Sequence, residues 1–363
     1  GFTIASMVLV NNPGDWGNIY RQLGHAEWNG WTFTDWVFPF FLFIVGVAMT
    51  FSLARRQVEV RERWPIVLSL WKRAAIIIGI GLLLNLIPNF NFETVRIPGV
   101  LQRIGLCIML AAPIVVFTAW RAQAGWILAC FAVYSVLMLA VPVPGVAVAG
   151  VLEPGQDFGA YVDRLLLSGH LWAKSKTWDP EGLVSTLPAV STLLFGVLTG
   201  HWLAAKMDAA SKIVWMLLAG LLCLWIGAMM DAEFMPINKS LWTPSYSVFM
   251  TGWALIVFAS FYWLMDAVDN EPLRATSRKW LLPFTIYGMN ALFIFAFSGL
   301  VAKMMGFIKL GEPAVSLKAL TYAPIKALPL APVNASLLFA FLFNLAMFAV
   351  AWFMWKKKWF VKV

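Results

Sequence analysis

Thr34-Asp35-Trp36-Val37-Phe38-Pro39-Phe40-Phe41-Leu42-Phe43-Ile44-Val45-Gly46 opens a stretch that stays apolar to Ala54 and carries one charge, Asp35. A run of about 20 apolar residues matches the hydrocarbon thickness of a bilayer when helical. Comparable runs follow at Ala74–Ile87, Pro98–Thr118, Gly125–Val141, Gly182–Ala204, Ile213–Met230, Pro244–Met265, Trp280–Ala302 and Asn334–Trp355. A shorter one, Gly1–Val10, stops at the breaker cluster Asn11-Asn12-Pro13-Gly14 and reads as a helix whose start lies upstream. That gives ten spans. The segment 304–333, rich in Pro and Gly, is a re-entrant piece or an eleventh. The expected fold is all-α: one polytopic transmembrane helical bundle of about 10–11 spans, a single domain over residues 1–363.

Composition agrees. The 363 residues are 61% hydrophobic and 12% charged, against about 25% charged in soluble chains. A soluble domain and a disordered chain are both excluded. A transmembrane barrel alternates apolar and polar residues and does not produce such runs. The net charge of +9 is read as loop charge on the cytoplasmic side, not as a nucleic-acid surface. If the first helix runs outward, the inner loops hold 16 Lys and Arg, and outer loops of about twice the length hold 10. Both termini are then cytoplasmic. The inner face carries Arg55, Arg56, Arg61, Arg63, Lys72, Arg73 and the Lys356-Lys357-Lys358 tail. Cys107, Cys130 and Cys223 lie in apolar runs without zinc spacing.

In a chain this apolar, polar residues within or beside spans are the informative ones. His25 lies in a short loop after the Asn11 break and just before Asp35, so Asn11, His25 and Asp35 can converge at one end of adjacent helices. An imidazole, with an ordinary pKa of about 6.5, suits proton transfer near neutrality; a hydrogen-bonded loop histidine is the alternative. His170 and His201 read as structural. Arg103 is the one Arg deep in an apolar run. It either pairs with an acid such as Asp35 or Glu93 or clamps an anion. Asp179-Pro180-Glu181-Gly182 reads as a helix start with Asp179 as N-cap. Asn290 either bonds a neighbouring helix or lines a cavity. There is no P-loop, GxSxG, HExxH or CxxC pattern, and no metal cage is expected.

Together, His25-Ala26-Glu27-Trp28-Asn29-Gly30, the Asp35–Gly46 run, Arg96-Ile97-Pro98-Gly99-Val100-Leu101-Gln102-Arg103, Asp179-Pro180-Glu181-Gly182, Pro236-Ile237-Asn238-Lys239-Ser240-Leu241-Trp242 and Gly288-Met289-Asn290 resemble, in order, the motifs of the heparan-α-glucosaminide N-acetyltransferase family. The resemblance implies acetyl transfer from cytosolic acetyl-CoA to an amino sugar across a membrane, in a bacterial inner-membrane homodimer. It implies that His25 is the active-site histidine and Asn11 an essential asparagine; Asp35, by its place beside His25, would fix the imidazole tautomer. It places Arg103 near the coenzyme; Lys72, Arg73, Arg55 and Arg56 are further phosphate candidates. Glu27, Trp28, Asp179, Glu181, Lys239 and Asn290 are the acceptor-binding candidates, with Trp31 and Trp178 as further stacking surfaces. His25 would act as general base or as a covalent acetyl carrier. A transporter for amino sugars or glycan fragments is the competing reading, since basic loops and intramembrane polar residues suit it equally.

Overall fold

The computed structural model describes residues 1–54 and 63–361. Its helices are α1 (Phe2–Val10), α2 (Phe33–Ala54), α3 (Arg63–Leu86), α4 (Val100–Phe117), α5 (Trp120–Ala140), α6 (Phe158–Leu167), α7 (Thr186–Ala204), α8 (Ala209–Glu233), α9 (Pro244–Tyr262), α10 (Glu271–Trp280), α11 (Leu282–Met289), α12 (Ala291–Phe307), α13 (Leu317–Lys326) and α14 (Pro332–Lys356). A two-residue hairpin, β1 (Lys309–Leu310) with β2 (Val315–Ser316), lies between α12 and α13.

Among the described residues eight helices are long and apolar enough to cross a membrane, and nine if α11 and α12, bent by 83° at Asn290, form one span. The polytopic helical bundle stands, with eight or nine helices of span length among the described residues beside the short opening helix α1. Residues 304–333 form no eleventh span, because they fold as the end of α12, the hairpin and the ten-residue α13. The opening helix α1 has nine residues. Several boundaries also move. Helix α3 begins at Arg63, eleven residues before the expected Ala74, and carries Lys72 and Arg73 on an exposed side; long basic side chains ride on a helix by extending their heads toward polar surroundings. Helix α7 begins at Thr186 with Ser185 as N-cap, so Asp179 is not the cap. Between the expected spans Pro244–Met265 and Trp280–Ala302 the chain forms the amphipathic helix α10.

Helix α7 is the axis of the bundle. It packs on α2, α4, α5 and α9, and buries twelve residues, including Leu193, Leu194 and Val197. Glycine sets the α2–α7 spacing: a Cβ on Gly46 would fall 2.0 Å from Leu193 O, and one on Gly196 would fall 1.9 Å from Phe43 O. Small residues let membrane helices approach to backbone contact, where packing replaces the absent hydrophobic drive. Between α7 and α9 the hydroxyls of Thr192 and Ser247 lie 2.6 Å apart, and Trp242 Nε1 donates to Thr192 Oγ1 at 3.1 Å. Such bonds satisfy polar groups that lipid cannot. A second cluster joins α1, α11, α12 and α14 around Ile4, Val8, Ile286, Ile294 and Phe343. Helix α8, by contrast, exposes Leu218, Leu221, Leu222 and Trp225 on its outer side, as a lipid-facing helix does.

Candidate active site

The loop from α1 to α2 is knit together by hydrogen bonds. Asp35, in the first turn of α2, reaches back to accept the Thr32 N–H at 3.0 Å, half of a capping box. The same oxygen accepts the Ala26 N–H at 3.1 Å, and Thr32 Oγ1 donates to Gly24 O at 2.6 Å. These bonds wrap residues 24–32 around the Asp35 carboxylate. Its other oxygen lies 2.6 Å from His25 Nδ1. The Tyr246 hydroxyl, on α9, donates to Asp35 O at 2.6 Å and locks the turn against the core.

This geometry assigns the tautomer. A carboxylate is acceptor-only, so the proton between the pair rides on Nδ1, and in the neutral ring Nε2 then carries the lone pair. Asp35 is 1% exposed, whereas the His25 side chain is 52% exposed. A buried acceptor behind an accessible ring is the arrangement that orients a general base.

Beside the dyad lies a buried ionic network. Arg96 Nε donates to Asp179 Oδ2 at 2.8 Å and Nη2 to Asp179 Oδ1 at 2.5 Å, a bidentate fork. Nη2 also meets Glu181 Oε2 at 2.6 Å, and Lys239 Nζ lies 3.4 Å from Glu181 Oε1. Burial alone would raise the Glu181 carboxyl, but the Lys239 and Arg96 charges outweigh it and hold it well below the usual carboxylate range. Burial opposes the charge on Arg96 too, and its bonds to Asp179 with the Glu181 charge outweigh that and raise it. Nearby, Asp163 accepts the Leu183 N–H at 2.9 Å, and burial pushes its carboxyl up to about 6.

Loop contacts tie the network to the dyad. Gly30 N–H donates to Ile237 O at 2.7 Å, and Gly30 holds this bond at φ +94°, a conformation glycine adopts without strain. Asn238 Nδ2 donates to Asn29 Oδ1 at 3.1 Å. The Trp28 and Trp178 rings meet edge to face at 5.1 Å, and Trp28 Nε1 is pinned to Leu152 O at 2.9 Å. Glu27 is exposed on the same loop. His25, Asp35, Glu27, Trp28, Asp179, Glu181 and Lys239 therefore share one end of the bundle.

Other candidates lie elsewhere. Arg103 pairs with neither Asp35 nor Glu93. It is 1% exposed, donates from Nη2 to Gly182 O at 2.7 Å and to Ser185 Oγ, and lies over the Trp242 ring at 5.3 Å. Its acidic neighbours are Glu181, Asp179 and Asp163, so it belongs behind the ionic network and not with Lys72 and Arg73 on α3. Arg55, Arg56 and Arg61 lie outside the described residues. Asn11 is the exposed C-cap of α1. It lines a cavity of about 230 Å³ with Lys303, Lys318 and Phe343, whose wall does not include His25. Asn290 donates from Nδ2 to Trp359 O at 3.0 Å and accepts the Val361 N–H at 2.8 Å; its amide is occupied by the C-terminal tail. His170 bonds Val95 O at 2.8 Å and His201 bonds Gln123 Oε1 at 3.0 Å, both structural contacts. Sequence reasoning passed over Arg96 as a site residue, although it heads the 96–103 motif and is the lone basic residue of the 88–97 loop.

A family model described as heparan-alpha-glucosaminide N-acetyltransferase, catalytic, matches residues 1–229. The chain is similar to the heparan-alpha-glucosaminide N-acetyltransferases of Mus musculus, 27% identical over 350 residues, and Homo sapiens, 28% identical over 349. Each alignment covers 81% of this chain and 51% of the relative, so the chain spans about half the length of the curated relatives it matches.

Proposed function

Because the chain belongs to the heparan-alpha-glucosaminide N-acetyltransferase catalytic family, we propose that it is a membrane acetyltransferase acting on the amine of a glucosamine-type sugar. The acetyl donor is acetyl-CoA on the cytoplasmic side, and the acceptor lies on the periplasmic side of a bacterial inner membrane. The observation that carries this reading is the His25–Asp35 pair: an accessible imidazole oriented by a buried carboxylate at 2.6 Å.

An amine attacks a thioester only as the free base. In the proposed step the acceptor nitrogen adds to the thioester carbonyl carbon while His25 Nε2 takes its proton. Collapse breaks the carbon–sulfur bond, and the imidazolium returns that proton to the departing thiolate. Asp35 stabilises the imidazolium between the two transfers without itself accepting the proton. Direct transfer is preferred over an acetyl-histidine intermediate because a ring 52% exposed would leave an acyl-imidazole open to hydrolysis. Trp28 and Trp178 form a wall against which a sugar face can lie, and Lys239 and Glu181 offer polar groups beside it. The nucleotide end of the donor, too highly charged to enter lipid, stays on the side of Lys72 and Arg73.

The test is acetylation of glucosamine by the purified protein with acetyl-CoA, followed as thiol release. His25→Ala is expected to abolish it, and retained activity overturns the assignment. Intersecting initial-rate lines are expected; parallel lines would mean an acetyl-enzyme. A transporter would show neither thiol release nor dependence on His25.

A further inference from the structure

The connection from α12 to α14 has no use in the chemistry above. Residues 303–331 carry four lysines, Lys303, Lys309, Lys318 and Lys326, against one acid, Glu312. The same stretch exposes Phe307, Leu310, Leu320, Leu328 and Leu330. Water penalises such apolar exposure, and soluble surfaces seldom gather it. Basic heads beside exposed apolar side chains suit a segment that lies in the headgroup layer of a bilayer. Its place in the fold agrees, because it joins the end of one apolar helix to the start of the next. Helix α13 holds it against the bundle: the Tyr322 ring meets Phe339 of α14 edge to face at 5.6 Å.

Behind this segment lies the cavity of about 230 Å³, walled by the end of α1 and by α12, α13 and α14. Lys303 and Lys318 both line it, and no acid does. Neither lysine is in an ion pair among the described residues. Lys303 gives two of its three donors to Leu84 O and Ile87 O, at the end of α3, so Lys318 is the freer charge. Asp15, the acid whose charge reaches Lys318, already accepts the Gly17 N–H at 2.8 Å and Asn18 Nδ2 at 2.7 Å. Two cations on one wall without an acid leave a positive potential in the space between them. The wall residues Asn11 and Trp16 are exposed, so the cavity opens at the surface. Both belong to the stretch between α1 and α2 that also carries His25.

We propose that this cavity holds the phosphate of an anionic phospholipid, whose chains stay outside it among the exposed apolar residues of the connection. A phosphate oxygen accepts charge-assisted bonds from Lys318 and Lys303. The volume fits that division of the ligand: pockets that enclose a whole small molecule hold about 300–1,000 Å³, and this one has room for a charged group whose remainder lies elsewhere. A lipid is favoured over a soluble anion because a soluble anion has no use for the apolar residues that flank the site. Bound there, the lipid ties the end of α1 and the start of its loop to the bilayer surface through α13.

The test uses purified full-length protein with phosphatidylglycerol or phosphatidylcholine of identical chains. The readouts are lipid retained per protein and the rise in melting temperature on adding lipid. The wild type is expected to bind phosphatidylglycerol about tenfold tighter than phosphatidylcholine, the scale of one charged hydrogen bond. Lys318→Met should lose that preference, and Lys318→Arg should restore most of it. Lys174→Met, which removes an exposed lysine outside the cavity wall, should keep it. Without lipid, all three variants should melt with the wild type. Equal binding of the two lipids by the wild type, an unchanged preference in Lys318→Met, or an equal loss in Lys174→Met overturns the site. Binding of glucosamine 6-phosphate that depends on Lys318, with no preference between the lipids, assigns the cavity to a soluble anion and overturns the lipid assignment. None of these readouts uses turnover, so failure here leaves the acetyltransferase reading standing.

Discussion

Replacing Asp35 by Asn tests the proposed chemistry at one atom. Asp35 Oδ2 accepts two backbone N–H groups, from Ala26 at 3.1 Å and Thr32 at 3.0 Å, and Oδ1 faces His25 Nδ1 at 2.6 Å. An asparagine must place its oxygen where Oδ2 lies, or it sets its own NH₂ against two donors. Its NH₂ then faces Nδ1. To accept that bond, Nδ1 must lose its proton, which moves to Nε2, the nitrogen that has to be unprotonated to take a proton from the amine. The ring stays in place in the wrong tautomer. With the same number of hydrogen bonds, the cost in stability is about 1 kcal/mol. The cost in kcat is about 10³–10⁴, the scale observed when an orienting carboxylate is made an amide behind a catalytic histidine. The assay is thiol release at saturating acetyl-CoA and glucosamine, with a melting scan on the same preparation. Adding D35N to H25A should cost little beyond H25A alone, because the two residues act as one unit. A loss below about tenfold in a normally folded D35N protein, or a full additive loss in the double variant, refutes the tautomer argument.

Two further outcomes follow from the buried charges. Arg96→Met strips the guanidinium from both the Asp179 and the Glu181 carboxylates, which are 0% and 4% exposed, leaving Lys239 at 3.4 Å from one of them. Removing one side of a buried pair costs about 3–5 kcal/mol, so R96M should melt far below the wild type, and adding D179N and E181Q should recover much of the loss; an R96M protein of normal stability would contradict the network. Asp163, pushed by burial up to about 6, starts from about 3.9 when unfolded. Its folded value is raised, so the associated stability is complete below the unfolded value and is lost as pH rises through 6, a change of about 2–3 kcal/mol. Asp163→Asn can still accept the Leu183 N–H. Its melting temperature should exceed that of the wild type above pH 6, with the advantage vanishing near pH 4; a constant difference across that window would contradict the assignment.

Which parts of this were legible in the sequence follows from the range of the interactions. Span-length apolar runs are local, so the helical bundle could be read directly, and so could the His25–Asp35 pair, ten residues apart in a glycine-bearing loop. Helix α3 reads short in the sequence because Lys72 and Arg73 look like a loop, while in a folded helix two basic heads on an exposed side cost little. For Arg103 the sequence offers an acid partner or a bound anion, because a buried charge demands compensation. The structure uses a carbonyl, a hydroxyl and an indole face instead, from residues 79 to 139 positions away. The Arg96 network joins residues 58 to 85 positions apart, and no periodicity within one segment reports such a pairing. Asn11 and Asn290 carried the same polar signal as His25, and only the surrounding fold separates a helix cap and a tail clamp from a residue beside the dyad.

The composition of the ionic network bears on the chemistry next to it. Asp179 and Glu181 bring two negative charges to the end of the bundle where, on the proposed reading, an amine reacts, and Arg96 and Lys239 bring two positive ones. An uncompensated pair of carboxylates there would hold an incoming amino sugar as its ammonium, because a nearby opposite charge favours the charged form, and an ammonium has no lone pair to attack with. With both acids neutralised, the local field offers the ammonium no such advantage. On the proposed reading, the network does more than hold three loops together: it keeps the acidic residues that shape the acceptor pocket from trapping the substrate in its unreactive form.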